Sequence, residues 1–461
     1  MSKSSSTNQS HGLGNQAGEP YLFLALDGNQ PTGPVSRHRL GNVQVMQIGR
    51  GVERVVQRDT HEGKSRLVLR FPDPWMSSLH ARIERSDKGM VMSDPTSKNG
   101  SFVNGTRLKS AVLTDGDVLQ FGHTFFIYRE DLPVGRQEDD LIADLDVPLG
   151  MATMLAPLAQ GLIAFARAAT TETPLLIQGQ TGTGKSIMAR SAHALSGRPG
   201  SLITVNVSEV SDAQFEKKLR GHEEGGTGSL GGVPGVIASA KNGTLVIEDV
   251  DKLSFRSQAL LSRVMSEGWI RPWNDEAPIP WQCRLVCTAS SSLDDMVEIG
   301  RFDPKLLQQI KGFEQVLPSL CQRREDIGLL IASMITHYAP TGQVMFSADA
   351  AYAILSYGWP RNLRELESCL GTALAWRSST MVEISHLPPE LRRPADRGHA
   401  ASGDTIDTVE LVQQDLEKRA NMIASLRARS GHLFNNRDSL DQVRNQFKRW
   451  LARTDVEFTD K

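Results

Sequence analysis

At 461 residues the chain is too long for one ordinary hydrophobic core, so about three folding units are expected. Its 39% hydrophobic and 23% charged residues match soluble globular proteins. A formal net charge of -2 excludes a chain that is basic throughout, which leaves any nucleic-acid contact to a local patch. Four cysteines, Cys283, Cys287, Cys321 and Cys369, are too few for a disulfide framework. Cys283 and Cys287 share one face of a predicted strand and are assigned to the core, which suits a reducing cytoplasm.

In chain order, residues 1–20 are rich in Ser, Gly, Gln and Asn and lack an apolar signal core, so they are expected to be disordered. Residues 21–130 show short alternating strands: Val43–Ile48, Arg66–Phe71, Ala81–Glu84, Met90–Ser93 and Val118–Phe121. Asn99-Gly100, Asn104-Gly105 and Asp115-Gly116 punctuate them as turns. That pattern predicts a β-sandwich. Residues 131–149, acidic from Gln137 to Asp146, read as a linker. The apolar stretch Gly150–Thr170 contains Gln160 and Arg167, so it is expected as a buried amphipathic helix, and no membrane is expected as a partner.

Over residues 150–317, helices alternate with the apolar strands Pro174–Gln178, Leu202–Val207, Thr244–Glu248 and Arg284–Ala289. This is the pattern of a doubly wound α/β core, with a helical lid expected over 318–393. Residues 394–404 read as a second linker, and 405–461 as a helical tail.

Gly179-Gln180-Thr181-Gly182-Thr183-Gly184-Lys185-Ser186 follows a predicted strand and opens a predicted helix, the setting a P-loop requires. Glycines let backbone amides curl around phosphate, and the helix N-terminus adds positive potential. Lys185 would face the β- and γ-phosphates of ATP, and the Ser186 hydroxyl would bind Mg2+. About sixty residues on, Gly243–Asp251 reads as the partner strand, ending in the acids Glu248 and Asp249.

Together with Gly221-His-Glu-Glu224, Gly268-Trp-Ile-Arg271, Arg323-Arg-Glu-Asp-Ile327 and Gly358-Trp-Pro-Arg-Asn-Leu-Arg-Glu-Leu366, this region resembles the AAA+ domain of sigma-54-dependent transcriptional activators. The resemblance covers roughly residues 150–391. It implies ATP and Mg2+ as cofactors, a ring-forming homo-oligomer, and sensor II chemistry for Arg364.

The departures from the family are specific. The family ends this strand in Asp-Glu, whereas the chain has Glu248 as the metal acid and Asp249 as the water-orienting acid. A base shorter by one methylene retreats by about an ångström, a misplacement that costs on the order of a hundredfold in rate. Ser290 stands where the family has a water-positioning asparagine. Asp303 and Gln309 stand where it has the arginines that reach a neighbouring subunit. A lost arginine finger costs about 10³–10⁵ in turnover, so nucleotide binding with weak or absent hydrolysis is expected. The family's sigma-contacting phenylalanine is missing from the shortened Gly225–Ser229 loop, which argues against productive remodelling of sigma-54 RNA polymerase.

Ile48-Gly49-Arg50, Ser77-Ser-Leu-His80, Asp94–Gly105 and Asp115-Gly-Asp117, in that order, resemble the forkhead-associated (FHA) domain. The resemblance implies a phosphothreonine-containing partner, the output of a Ser/Thr kinase. Arg50 and Ser77 would hold the phosphate, Asn99 would bind the peptide backbone, and Lys98 stands where the family usually has threonine. His80 is expected to brace its loop. A sandwich that has lost ligand and serves as an interaction platform is the alternative.

The tail stands where the family carries a Fis-type helix-turn-helix. Arg444, Lys448, Arg449 and Arg453 run along its last predicted helix and would contact DNA phosphates. A solvated basic face is the competing reading.

The leading expectation is a cytoplasmic, ATP-binding transcriptional regulator that reads phosphothreonine. A phosphothreonine-dependent adaptor with a nucleotide-binding scaffold is the alternative. An ordinary mechanochemical ATPase would require the swapped acids and absent arginines to be compensated.

Overall fold

The computed structural model describes residues 18–133, 140–142, 153–223, 232–273, 277–339, 342–392 and 445. The predicted second linker and helical tail fall outside them, apart from Asn445, as does most of the first linker.

The chain divides into two compact units, each described by itself. The N-terminal one is the expected β-sandwich. One sheet runs in the order Asp140–Ile142, Ser36–Arg39, Glu19–Asp27, Thr124–Leu132, Val118–Phe121, Ser101–Val103 and Thr106–Leu108. The other runs Ser110–Val112, Gly89–Ser93, Ala81–Ser86, Val45–Arg50, Lys64–Phe71 and Val55–His61. Alternate residues of both sheets meet in one core, with Leu22, Leu24, Leu119 and Phe126 from the first against Met46, Ile48, Leu69, Ile83 and Met92 from the second. The predicted strands are found, with ends shifted by a residue or two. Val45–Arg50, for instance, extends to the arginine itself.

The predicted turns are built by their own side chains. Asn104, at φ 50°, donates from Nδ2 to Asp117 Oδ1 at 2.7 Å and accepts from the Val118 amide at 2.9 Å. Asp117 Oδ2 in turn accepts from the Thr114 amide at 2.8 Å, so the Asn104-Gly105 and Asp115-Gly116 turns lock each other.

The second unit is a parallel α/β domain. Its five-stranded sheet has the order Leu202–Asn206, Thr244–Glu248, Arg284–Ala289, Leu175–Gln178 and Phe313–Val316. Four of these strands match the predicted ones, while the fifth, Phe313–Val316, was not anticipated. Helices flank the sheet, and Cys283 and Cys287 lie in its buried core, as expected of them. The predicted amphipathic helix spans Ala156–Ala169 and buries Leu158, Leu162, Phe165, Ala166 and Ala169. Arg284, 1% exposed, donates to the carbonyls of Ala168, Ala169 and Thr173, closing that helix's C-terminal end. Beyond Leu317 lie mainly helices, Ile327–Tyr338, Ala348–Ser356 and Asn362–Trp376. They are joined by one short parallel pairing of Met345–Phe346 with Met381–Val382. No helix among the described residues is long and apolar enough to cross a membrane.

Candidate nucleotide and phosphopeptide sites

The P-loop leaves the C-terminal end of the buried strand Leu175–Gln178, next to the sheet edge. Gly179 adopts φ 150° and Gly182 φ 84°, and Gly184, at φ 108°, precedes the helix Lys185–Ser196. A Cβ on Gly182 would lie 2.1 Å from the Arg361 carbonyl oxygen, so only glycine fits there. The loop tightens on itself where the Thr183 hydroxyl donates to the Gln180 carbonyl at 2.8 Å.

Lys185 is almost fully buried, and its ammonium donates to the Gly179 carbonyl at 2.6 Å, the Gln180 carbonyl at 3.2 Å and Ser290 Oγ at 3.0 Å. Burial pulls its pKa below the usual lysine range, against the fields of Asp249, Asp251 and Glu248. Ser186 is half-buried on the first turn of the helix, and its hydroxyl has no hydrogen-bond partner among the described residues.

The two acids differ in their engagement. Asp249 sits in the left-handed region at φ 56°, with its amide donating to Thr288 Oγ1 at 3.3 Å. Its carboxylate accepts from Ser208 Oγ at 2.7 Å and Ser290 Oγ at 3.2 Å, and Lys252 Nζ lies 3.5 Å away. Burial works against its charge, but Ser208, Lys252, Ser290 and Lys185 together hold the carboxyl below its ordinary range. Asp251 accepts from the Ser290 amide at 3.1 Å, which makes Ser290 the junction of lysine and acids. The carboxylate of Glu248, half-buried, has no hydrogen bond or ion pair among the described residues.

The lid grips the loop from the other side. Asn362 donates from Nδ2 to the Thr181 carbonyl at 3.0 Å and accepts from the Leu320 amide at 2.6 Å. The Leu363 amide donates to the Gly182 carbonyl at 3.0 Å, and the buried Arg323 reaches the Thr183 carbonyl at 3.3 Å. Arg364, one residue further on, is exposed and unpaired among the described residues, and its charge acts on Lys185. Asp303 and Gln309 serve the fold of this same chain. Asp303 caps the helix Pro304–Ile310 by accepting from the Lys305 amide at 2.8 Å. Gln309 donates to the Ser262 carbonyl at 3.2 Å and to Ser266 Oγ at 2.8 Å.

No cluster of three or more His, Cys, Asp or Glu side chains is arranged to hold a metal among the described residues. The Ser186 hydroxyl and the Glu248 carboxylate are nonetheless hard oxygen donors without partners among the described residues, the kind Mg2+ takes alongside phosphate oxygens and water.

In the sandwich, Arg50 is exposed at the end of its strand, and its amide donates to the Ser77 carbonyl at 2.8 Å. Ser77 Oγ accepts from the Lys98 amide at 3.2 Å, which brings the two loops together. His80, fully buried, accepts from the Ser77 amide at Nδ1 (3.0 Å), and its Nε2 meets the Gly100 carbonyl at 3.1 Å. It is a brace between loops. Asn99 Nδ2 donates to the Trp75 carbonyl at 2.7 Å. Arg50, Ser77, Lys98 and Asn99 therefore converge on one end of the sandwich. The loop 225–229 and the four basic tail residues, Arg444, Lys448, Arg449 and Arg453, lie outside the described residues.

Ser208, Lys252, Asp251, Asn362 and Arg323 were not among the predicted site residues. Asp251 closes the acidic run Glu248–Asp251 and Asn362 lies in the Gly358–Leu366 stretch, so both had a local signal. Arg323, which reaches the P-loop at the Thr183 carbonyl, likewise lies in the Arg323–Ile327 stretch, whereas Ser208 reaches Asp249 from a segment that carried no signal.

A five-stranded parallel sheet whose P-loop is held beneath a helical lid is the architecture of an AAA+ domain. Residues 154–315 match the sigma-54 interaction domain, 321–404 the AAA+ ATPase lid domain and 46–122 the FHA domain, and the chain carries all three. It is similar to the regulatory protein AtoC of Escherichia coli, at 30% identity over 50% of this chain and 51% of AtoC. It is also similar to the Nif-specific regulatory protein of Rhodobacter capsulatus, at 33% over 50% of this chain and 40% of that protein. A third relative is the transcriptional activator RocR of Bacillus subtilis, at 31% over 52% and 54%. The chain thus spans about half the length, or less, of these relatives. NtrX from Brucella abortus in complex with ADP aligns at TM-score 0.47 and 21% identity, over 68% of this chain and 70% of that one.

Proposed function

We propose that the chain is an ATP-binding transcriptional regulator of the sigma-54 activator type that reads phosphothreonine through its FHA domain and hydrolyses ATP weakly or not at all. The observation that carries this reading is the Lys185–Ser290–Asp249 network. The residue at the water-positioning place bonds both the phosphate lysine and the shorter acid, while the Glu248 carboxylate has no partner among the described residues.

The P-loop amides and Lys185 would bind the β- and γ-phosphates, Ser186 and Glu248 would hold Mg2+, and Arg364 would add charge from the lid. Mg2+, when bound, neutralises phosphate charge. Asp249, held by Ser208 and Lys252, is the acid left to orient water, and it does so at a shorter reach. Arg50 and Ser77 would hold the phosphate of a phosphothreonine peptide, with Lys98 and Asn99 beside them.

A homo-oligomer and DNA contacts from Arg444, Lys448, Arg449 and Arg453 complete the proposal. Sigma-54 RNA polymerase is not included as a remodelled partner. The adaptor reading remains a second candidate, because Asp303 and Gln309 are spent on bonds within the chain. Paired measurement of ATP affinity and turnover on the purified chain, with and without DNA, separates the readings. Tight binding, slow turnover and salt-dependent DNA retention support the regulator, absence of DNA binding supports the adaptor, and fast turnover abolished by Lys185→Ala refutes impaired hydrolysis.

A further inference from the structure

The α/β domain carries a basic and aromatic surface that the nucleotide site does not use. Arg220 ends the helix Asp212–Arg220, Arg263 and Glu267 lie near the end of the helix Phe255–Glu267, and Trp269 and Arg271 follow it. Together they line a cleft of about 260 Å³, in which three arginines face the single acid Glu267. The second helix stops at Gly268, φ 73°, whose amide donates to the Val264 carbonyl at 3.0 Å. The chain then runs out extended, and Trp269–Ile270 pairs with Ile279–Pro280. Burial alternates from there. Ile270 and Pro272 point inward, whereas Trp269 (37% exposed), Arg271 and Trp273 (39% exposed) point outward. Two indoles with an arginine between them therefore share one outer face, at steps of roughly 6.6 Å.

The fold accounts for only part of this set. Arg220 pairs with Glu216 at 3.0 Å and donates to the Arg271 carbonyl at 3.1 Å, which fixes its guanidinium beside the cleft. Glu216 is shared with Arg256 at 3.2 Å, so one carboxylate serves two arginines. Arg263 and Lys217 are exposed, and their side chains have no partner among the described residues. Lys217 lies one turn before Arg220 on the same helix face. Such a surplus of positive charge repels itself, and a polyanion laid along it relieves the repulsion. The indoles narrow the choice of polyanion. An acidic peptide would occupy the arginines and leave the indole faces idle, and a duplex hides the faces of its bases. An unpaired strand uses both, with phosphates on the cations and bases on the rings.

We propose that this surface binds single-stranded nucleic acid, with Arg220, Arg263 and Arg271 holding backbone phosphates and Trp269, then Trp273, stacking unpaired bases. The site is separate from the DNA contacts proposed for the tail and does not need the four tail residues.

Anisotropy of a labelled oligothymidylate titrated with the full chain tests it. The background is a tail variant combining Arg444→Ala, Lys448→Ala, Arg449→Ala and Arg453→Ala, so that failure of the tail proposal leaves the result untouched. The tail variant should bind the strand more tightly than a duplex of the same length. Trp269→Ala, added to it, should weaken strand binding about ten- to a hundredfold, and Trp269→Phe should keep most of it. Arg263→Ala, at an exposed position, should weaken binding without lowering the thermal unfolding temperature. It should also flatten the slope of log affinity against log salt by about 0.7, the mark of one lost phosphate contact. An oligouridylate arm assigns the source, because tighter binding of one or the other strand marks DNA or RNA. Three results would overturn the proposal: no strand binding by the tail variant, binding that Trp269→Ala or Arg263→Ala leaves unchanged, or a duplex bound as tightly as the strand. Displacement of the strand by polyglutamate as readily as by unlabelled strand would overturn it too, in favour of an acidic peptide.

Discussion

Ser290 Oγ accepts from the Lys185 ammonium at 3.0 Å and donates to Asp249 Oδ1 at 3.2 Å, so one hydroxyl joins the lysine proposed to meet phosphate to the acid proposed to orient water. The family's asparagine, longer and with an amide, would present a different set of donors there. The order of the two acids compounds the difference, because Glu248 lies on the strand and Asp249 just beyond its end. Exchanging them, in the double variant Glu248→Asp with Asp249→Glu, should raise ATP turnover by up to about a hundredfold. Turnover should still stay well below that of an enzyme with a trans-acting arginine, since Asp303 and Gln309 are unchanged. A phosphate-release assay checks this, and an unchanged or lower rate would count against the swapped acids as the cause.

Arg364 is exposed and has no partner among the described residues, so its removal should leave the nucleotide-free fold alone. Charge-assisted hydrogen bonds contribute roughly 1.5–3 kcal/mol, so Arg364→Ala should weaken Mg-ATP binding about ten- to a hundredfold. Calorimetry on the variant reads the loss, and thermal unfolding without nucleotide should show no shift.

Two glycines with left-handed backbones allow a comparison of strain with crowding. At Gly300, φ 67°, a Cβ would meet nothing within 4 Å, whereas at Gly182, φ 84°, it would meet the Arg361 carbonyl oxygen at 2.1 Å. Gly300→Ala should cost about 1 kcal/mol from backbone strain alone. Gly182→Ala should cost more, about 2–4 kcal/mol, because the lid segment must also move off the loop. Denaturant unfolding of the two variants tests the order.

Asp326 carries a pH signature. Full burial pushes its carboxyl up to about 6, against the Arg323 guanidinium and bonds from the Met154 amide and the Thr153 hydroxyl. The folded chain therefore takes up this proton at a higher pH than the unfolded chain, whose carboxyl titrates near ~3.9. The group's stabilising contribution is fully present below ~3.9 and is lost as pH rises through about 6. A shift of about two units caps the contribution at roughly 3 kcal/mol. Relative to Asp326→Asn, the natural chain should gain stability as pH falls from neutral toward the acid range. A difference that stays flat with pH would contradict the assignment.

How much was legible followed from sequence distance. The strands Leu175–Gln178, Thr244–Glu248 and Arg284–Ala289 are buried on both faces and read as apolar runs, and the P-loop glycines are a contiguous signal. Phe313–Val316 was missed because it is a four-residue edge strand with Glu314 and Gln315 inside it, too polar to stand out. The sandwich turns were legible because Asn104 and Asp117 act locally. The clamp on Asp249 was not, since Ser208 lies 41 residues upstream and no spacing rule joins them.

ATP is proposed to be held and scarcely cut. Titration calorimetry of the intact chain with ATP and Mg2+, followed by turnover on the same sample, tests it most directly. Saturable heat that Lys185→Ala removes is expected, together with turnover far below that of an active AAA+ enzyme. No heat of binding, or rapid turnover that depends on Lys185, would contradict it.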